Sequence, residues 1–511
     1  MAQSSNMQEF SHTSSILITA HGLRNRWSIL GWALLYILVA GALQLFIPFP
    51  LDSDTPYHAV VGQLMQKHGM LKAFPWTPFS WLSEHYADKE LLFHLLFVPF
   101  SGLDWITAVR IVGTLSGATI LLSLFLILRA EGVHSPGLWA LMPLSCSILF
   151  VFRFSLVRPH LLSITLALVV LWAACQGRVV VLAVASAIYP WAYVAFWQIP
   201  CLLLFAVGVV HFLSGRRVQW KLFAIAACGI AVGVALHPNT VNLLHLNWIH
   251  MTHILLKRIV WGALPGIDLG YEINPYPVAA WVQGLLFSVV MTIVATVYAW
   301  RNRQKEIISL AFSFAALGFS FLTMTTARFA EYFVPFSVAA TALASRPIRQ
   351  RFLPHAILGI SILYTLWVGF PTLLDMKAQP NLMPQRIAIA LQERIPPGSQ
   401  VFTTDWPHTG LLMLTLPERR FIVALDPTLF YLKDSELYRL WYSLTHDTPA
   451  GPAEIIRQRF RSRYVLSFYP DGPRRLFHQL SSEQGVRILL ASDLWVLFDL
   501  GVSQRQKLFG N

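Results

Sequence analysis

LDSDTPYHAVVGQL, residues 51–64, follows directly on an apolar run that extends from Trp27 to about Pro48. Asp52 and Asp54 are therefore among the first residues to leave a segment long enough to cross the roughly 30 Å of bilayer hydrocarbon, where an unpaired acid is costly and usually functional. A second charged cluster follows in HYADKELLFHLL, residues 85–96, with Asp88, Lys89, Glu90 and His94 just ahead of the next apolar stretch. Two acidic clusters on one membrane surface point to a reaction centre there.

The composition requires the membrane. Of 511 residues, 55% are hydrophobic and only 12% charged, more apolar surface than one soluble core can hide. The net charge of +13 is spread in short clusters between apolar runs, as membrane topology demands. No Gly-rich phosphate loop, Cys/His finger spacing or basic helix accompanies it, so nucleic acid is set aside as a partner. Cys146, Cys175, Cys201 and Cys228 all fall in or beside apolar segments, which favours inert packing over a disulfide framework or a zinc site.

About eleven stretches are apolar over enough length to span: 27–48, 105–128, 135–152, 159–175, 179–196, 198–214, 219–236, 279–300, 306–325, 331–345 and 353–371. The first follows Arg24 and Arg26, lacks a small-x-small cleavage site and reads as a retained anchor. Arg129, Arg178, the group Arg216, Arg217 and Lys221, the group Arg301, Arg303 and Lys305, and the group Arg346, Arg349 and Arg351 then fall on the side of the N-terminus, which the positive-inside rule makes cytoplasmic. The expected division is a cytoplasmic segment 1–26, a membrane domain 27–371 with an external loop 49–104, and a soluble external domain 372–511.

Within the external loop, YHAVVGQLMQKHGMLKAF (57–74) has near-helical apolar spacing and predicts a helix lying along the membrane interface, and DKELLFHLLFVPF (88–100) predicts another. The tail alternates strands and helices, among them VFTT (401–404), RFIVALD (420–426), YVLSF (464–468), VRILLA (486–491) and LWVLFDL (494–500). That alternation predicts a small α/β domain with a mostly parallel sheet.

Several side chains on the external face are candidates for chemistry. Asp52 or Asp54 suits a general base or a cation ligand, although Asp52 to Thr55 also reads as a helix cap with Pro56 in the first turn. Asp88, Lys89, Glu90 and His94, with His85, form a second acidic site able to hold a metal or a polar head group, or simply a solvated patch paired with Lys89. Arg153, Arg158 and His160 in RFSLVRPH, and Arg328 in TTARFAEYF with Glu331, are placed to grip a phosphate; the alternative is snorkelling to lipid head groups. His250 and His253, near Lys257 and Arg258, are a weaker metal pair. In the tail, Asp405, His408 and Asp426 lie at ends of predicted strands, the usual place for sites in parallel sheets, or in turns.

The order of these features resembles the GT-C superfamily of multi-spanning glycosyltransferases that use polyprenyl-linked sugar donors. A first helix, Asp-x-Asp in DSDTPYH, Gly69 and Trp76, the Asp-Lys of YADKELLFHLL and then AVRIVGTLSGATILL opening the next helix are similar to the layout of protein O-mannosyltransferases and aminoarabinose transferases. Glu90 stands where those enzymes have a proline, and the Asp-x-Asp also resembles that of oligosaccharyltransferase catalytic subunits. The resemblance implies inverting transfer of a sugar from a lipid phosphate to a glycan, lipid or protein acceptor on the outer, periplasmic face of a bacterial inner membrane. Asp52 matches the catalytic acid. Arg158, Arg328, Arg153 and His160 would bind the donor phosphate, and Asp54, Asp88 and Glu90 would hold a divalent cation, Mg or Mn. The rival reading is a transporter or lipid flippase, against which stands the scarcity of ionisable residues in the middles of the apolar runs.

Overall fold

All eleven apolar stretches are helical in the computed structural model, which describes residues 27–46, 52, 54–256, 267, 273–348, 352–377, 383–470 and 472–501. Arg24, Arg26, Lys257, Arg258, Arg349 and Arg351 lie outside the described residues. Among the described residues four helices are individually long and apolar enough to cross a bilayer, Trp27–Phe46, Trp105–Ala130, Val278–Arg301 and Ile307–Thr325. Their outward side chains are apolar as well: Leu38, Val294 and Phe321 are largely exposed, which only a lipid surround makes inexpensive. By contrast Ala330–Ala344 is enclosed by other helices along almost its whole length.

One expected span is broken. The stretch 135–152 divides into Pro136–Cys146 and Ile148–Ser155, bent by 96°. Ser147 makes the break possible, since its extended backbone ends one helix while its hydroxyl accepts the Phe150 N–H and caps the next. Arg153 and Arg158 are thereby swung to one wall rather than left at the tip of a straight rod. Trp220–Ala235 keeps the expected span 219–236 whole, and beyond it, after His237 and Pro238, Thr240–Leu256 follows at a bend of 118° as a helix not expected from the sequence, ending in a π-helical turn, His250–Leu256.

The loop between Trp27–Phe46 and Trp105–Ala130 carries the helix Asp54–His68 and the helix Leu91–Phe97. Expected along the membrane interface, Asp54–His68 is instead largely buried, held between Leu91–Phe97 and the tail helix Thr409–Thr415. Gly62 allows the first of these approaches, because a Cβ there would stand 2.4 Å from that of Phe97.

The tail forms a five-stranded sheet from β1 (Gln400–Thr403), β2 (Arg420–Phe421), β3 (Tyr464–Phe468), β4 (Arg487–Ala491) and β5 (Trp495–Asp499), in the order β2-β1-β3-β5-β4. Only β2, β1 and β3 run parallel. The mostly parallel expectation fails at the last two strands: the connection from β4 to β5 is too short for a crossover, so they pair as a hairpin and β5 runs antiparallel to β3. RFIVALD keeps two residues of strand and then turns into a helix that the sequence reading missed, Pro427–Lys433.

The tail is fastened to that loop. Trp76 donates its indole N–H to the Pro417 carbonyl at 2.9 Å and its own carbonyl accepts the Phe421 N–H at 2.6 Å. Lys433 Nζ reaches the Pro78 carbonyl (3.0 Å), the Ser83 hydroxyl (2.6 Å) and Glu84 (2.7 Å).

Candidate active site

Asp52 begins the site by ending a turn. Its Oδ1 accepts the Thr55 N–H at 2.8 Å, the capping bond foreseen from the sequence, while its Oδ2 lies 2.5 Å from Arg158 Nε. Asp54, in the first turn of the same helix, faces Arg158 Nη2 at 3.3 Å. The Asp-x-Asp motif therefore closes on one guanidinium supplied from the far side of the bent helix pair.

Asp54 and Arg158 border a cavity of about 130 Å³. Asp54, His58, Lys89, Glu90, Arg153, Arg158, His160 and Arg328 line it from the helices and loops ahead of the tail, together with Tyr57, Tyr193 and His250. Trp406, Leu425, Asp426 and Pro427 line it from the tail. Next to it lies a chamber of about 110 Å³ with mainly apolar walls, among them Ile199, Ile254, Leu255, Phe329 and Tyr332. Tyr193, Val194, His250, Ile254, Ile273 and Arg328 border both spaces, so a rim carrying Arg328 joins a polar chamber to an apolar one.

The charges are arranged in layers. Arg153 binds Glu331 through Nε (3.0 Å) and Nη2 (2.7 Å), and the Arg153 carbonyl accepts a hydrogen bond from His160 Nε2 at 2.8 Å. That buried group forms one wall and leaves Arg153 already neutralised. Lys89 lies 3.8 Å from Glu90 and keeps partial exposure toward the cavity.

Behind them runs a chain of imidazoles. Asp88 accepts the His94 Nδ1–H at 2.8 and 2.9 Å, leaving His94 Nε2 as a lone pair 2.9 Å from His58 Nδ1. Burial, then the neighbouring His94 and the cations Arg158 and Lys89, hold His58 well below the usual imidazole range. Asn239 and His237 hold the segment around Asp88 from the bent arm, with the Asp88 N–H on Asn239 at 3.3 Å and its carbonyl 3.1 Å from His237 Nε2.

Asp54, Asp88 and Glu90, expected to share a cation, each have a separate partner: Arg158, His94, and Lys89 with His58. Among the described residues the convergent set is His58, Glu90 and His94, whose ligand atoms lie within 4.8 Å of one another. His58 was overlooked in the sequence, although its spacing of four from Asp54 puts both on one helix face. His250, expected only as part of a metal pair with His253, lines this cavity, and so does Trp406 of the tail, which no local signal connects to a loop more than 300 residues earlier.

His250 and Asp426 meet at 3.6 Å, and Asp405 pairs with His408 at 3.0 Å, set back against Phe468. His245 packs edge-on to Trp81 as an anchor. 

The fold is similar to that of solved structures of two glycosyltransferases. Among solved structures, that of ArnT, an aminoarabinose transferase from Cupriavidus metallidurans, bound to undecaprenyl phosphate, matches with a TM-score of 0.55 over 93% of this chain and 99% of that one, at 13% identity. Arabinofuranosyltransferase AftD from Mycobacteria matches with a TM-score of 0.56 over 92% of this chain and 40% of its own, at 14% identity. No family model and no curated relative matches the sequence.

Proposed function

We propose that this protein is an inverting glycosyltransferase that moves a sugar from a polyprenyl-phosphate-linked donor to an acceptor at the outer face of the bacterial inner membrane. The observation that carries the reading is the shared rim at Arg328 and His250 between a carboxylate-and-cation cavity and an apolar chamber. A polyprenyl phosphate has that division, an anionic head on an apolar chain, and an ArnT structure holds undecaprenyl phosphate.

In this reading the phosphate sits among Arg328, Lys89 and Arg158, with its prenyl chain in the apolar chamber. An acceptor hydroxyl gives its proton to a carboxylate as its oxygen attacks the anomeric carbon, the bond from that carbon to the phosphate oxygen breaks, and polyprenyl phosphate leaves against the cations. The geometry favours Asp54 as the base over Asp52, the expected one. Asp54 borders the cavity, whereas Asp52 is spent on capping its helix and holding Arg158.

His58, Glu90 and His94 suit a divalent ion, since Asp88 already orients His94 with its Nε2 presented as a ligand. Two imidazoles and one carboxylate fit zinc better than the Mg or Mn expected from the sequence. Such an ion would add positive charge beside the departing phosphate.

The test uses purified protein and a panel of radiolabelled polyprenyl-phosphate sugars. Wild type is expected to transfer, Asp54→Asn to lose roughly 10²–10⁴-fold in turnover, and Asp52→Asn to lose less. Equal transfer by wild type and Asp54→Asn sinks the assignment of the base, and no transfer with any donor sinks the function.

A further inference from the structure

The cavity's membrane-side wall meets its roof where His250 faces Asp426, Nε2 to Oδ2, at 3.6 Å. His250 Nδ1 lies 2.9 Å from the Leu246 carbonyl, which only accepts, so the ring hydrogen is on Nδ1. In that neutral tautomer Nε2 is a lone pair. Asp426 uses Oδ1 to accept the Thr428 N–H at 2.8 Å, and its Oδ2 is an acceptor too. Two mostly buried acceptors thus face each other with no hydrogen between them, an unfavourable pairing unless a third group donates to both.

The turn that delivers Asp426 is strained. Leu425 has a φ of +64°, rare for a branched side chain, and the Asp426 N–H closes back on the Ala424 carbonyl at 2.7 Å in a three-residue turn. Leu425 and Asp426 both line the cavity, where strain of this kind is held in place for function. Trp406 presents an indole in the same roof.

We propose that Asp426, His250 and Trp406 form a carbohydrate subsite in which adjacent hydroxyls of a sugar ring donate one hydrogen each to Asp426 and His250 while the C–H face of the ring lies on Trp406. The proposal deepens the glycosyl-transfer reading and rests on it. It makes the tail a determinant of which saccharide is handled, and either the donor's sugar or a saccharide acceptor has the required chemistry.

Saturation-transfer difference NMR on the full-length protein in nanodiscs, with methyl pyranosides, methyl furanosides and their monodeoxy analogues, tests it. At least one glycoside is expected to be saturated, with binding lost when either of two adjacent hydroxyls is removed. Asp426→Asn, whose amide donates to His250 Nε2 and closes the pair internally, is expected to weaken binding roughly tenfold or more. His250→Gln approaches the same pair from the membrane side, and Trp406→Ala removes the platform; Glu436→Gln, on the exposed face of the tail, changes nothing. Loss of the signal after loading with polyprenyl-phosphate sugar assigns the subsite to the donor, and persistence assigns it to the acceptor. Equal saturation of wild type and Asp426→Asn, or no glycoside saturated, overturns the proposal. Because the readout is binding, a protein that binds glycosides through Asp426 yet transfers no sugar overturns the transferase reading alone.

Discussion

At the scale of single residues the site is a set of neutralised pairs with a few groups facing the cavity between them. Asp52 and Arg158 are both nearly buried, so replacing Asp52 removes a charge-assisted bond as well as a cap. Asp52→Asn is expected to cost about 1–3 kcal/mol in unfolding free energy, less than a fully orphaned charge because Asp54 still faces Arg158. Retention of wild-type thermal stability in that variant would show that the pair contributes nothing. His58, Glu90 and His94 make a second prediction at this scale. Protein purified without chelator and supplied with zinc is expected to retain about one equivalent by elemental analysis, and His58→Ala to lose it. Unchanged zinc content in His58→Ala would remove the site.

At the scale of elements, the helix Asp54–His68 is the part whose placement matters most, because it carries Asp54 and His58 together. Its contact with Leu91–Phe97 depends on the missing side chain of Gly62. Gly62→Val has no room and is expected to cost roughly 1–3 kcal/mol and to move His58 away from His94, lowering turnover with little effect on protein yield. Full activity in Gly62→Val would mean the two helices have slack that the 2.4 Å approach denies.

The sheet has its own fastening. Asp499, at the end of β5, binds Arg463 at 2.7 and 2.8 Å and Arg487 at 3.0 Å, tying together the ends of β3, β4 and β5. These bonds, Arg463 first, lower the Asp499 carboxyl to about 2. A depressed carboxylate stabilises the fold above its unfolded pKa of roughly 4, and that stability fades as pH falls from there toward 2. Since both arginines are substantially exposed, the effect is discounted to about 1 kcal/mol. Asp499→Asn is expected to flatten the acid limb of the stability curve over that window, as read by the thermal midpoint against pH, and an unchanged limb would exclude the pair as its cause.

At the scale of the whole molecule, the tail is a roof and not an appendage. Trp406, Leu425, Asp426 and Pro427 complete the cavity, and Trp76 and Lys433 hold the tail to the loop that carries the acids. Lys433→Ala removes one of these holds and is expected to raise hydrogen exchange in residues 76–84 severalfold while leaving exchange in the sheet unchanged. Protection that stays as in wild type would show that the clasp does not secure the loop.

Much of this was readable in the chain itself. Apolar run lengths identified most stretches that became membrane-domain helices, though not Thr240–Leu256, and acids placed against the end of the first run identified the loop that became the site, because both are properties of adjacent residues. The strands of the tail were legible too, down to the short connection between β4 and β5 that should have announced a hairpin. What the chain could not disclose is which distant groups answer those acids. Arg158 reaches Asp52 only because Ser147 breaks a helix, His58 reaches His94 only because Gly62 lets two helices touch, and Asp426 reaches His250 only because the tail folds back over the membrane domain. Each of those pairings depends on a bend or a close approach in three dimensions, which no local pattern of residues encodes.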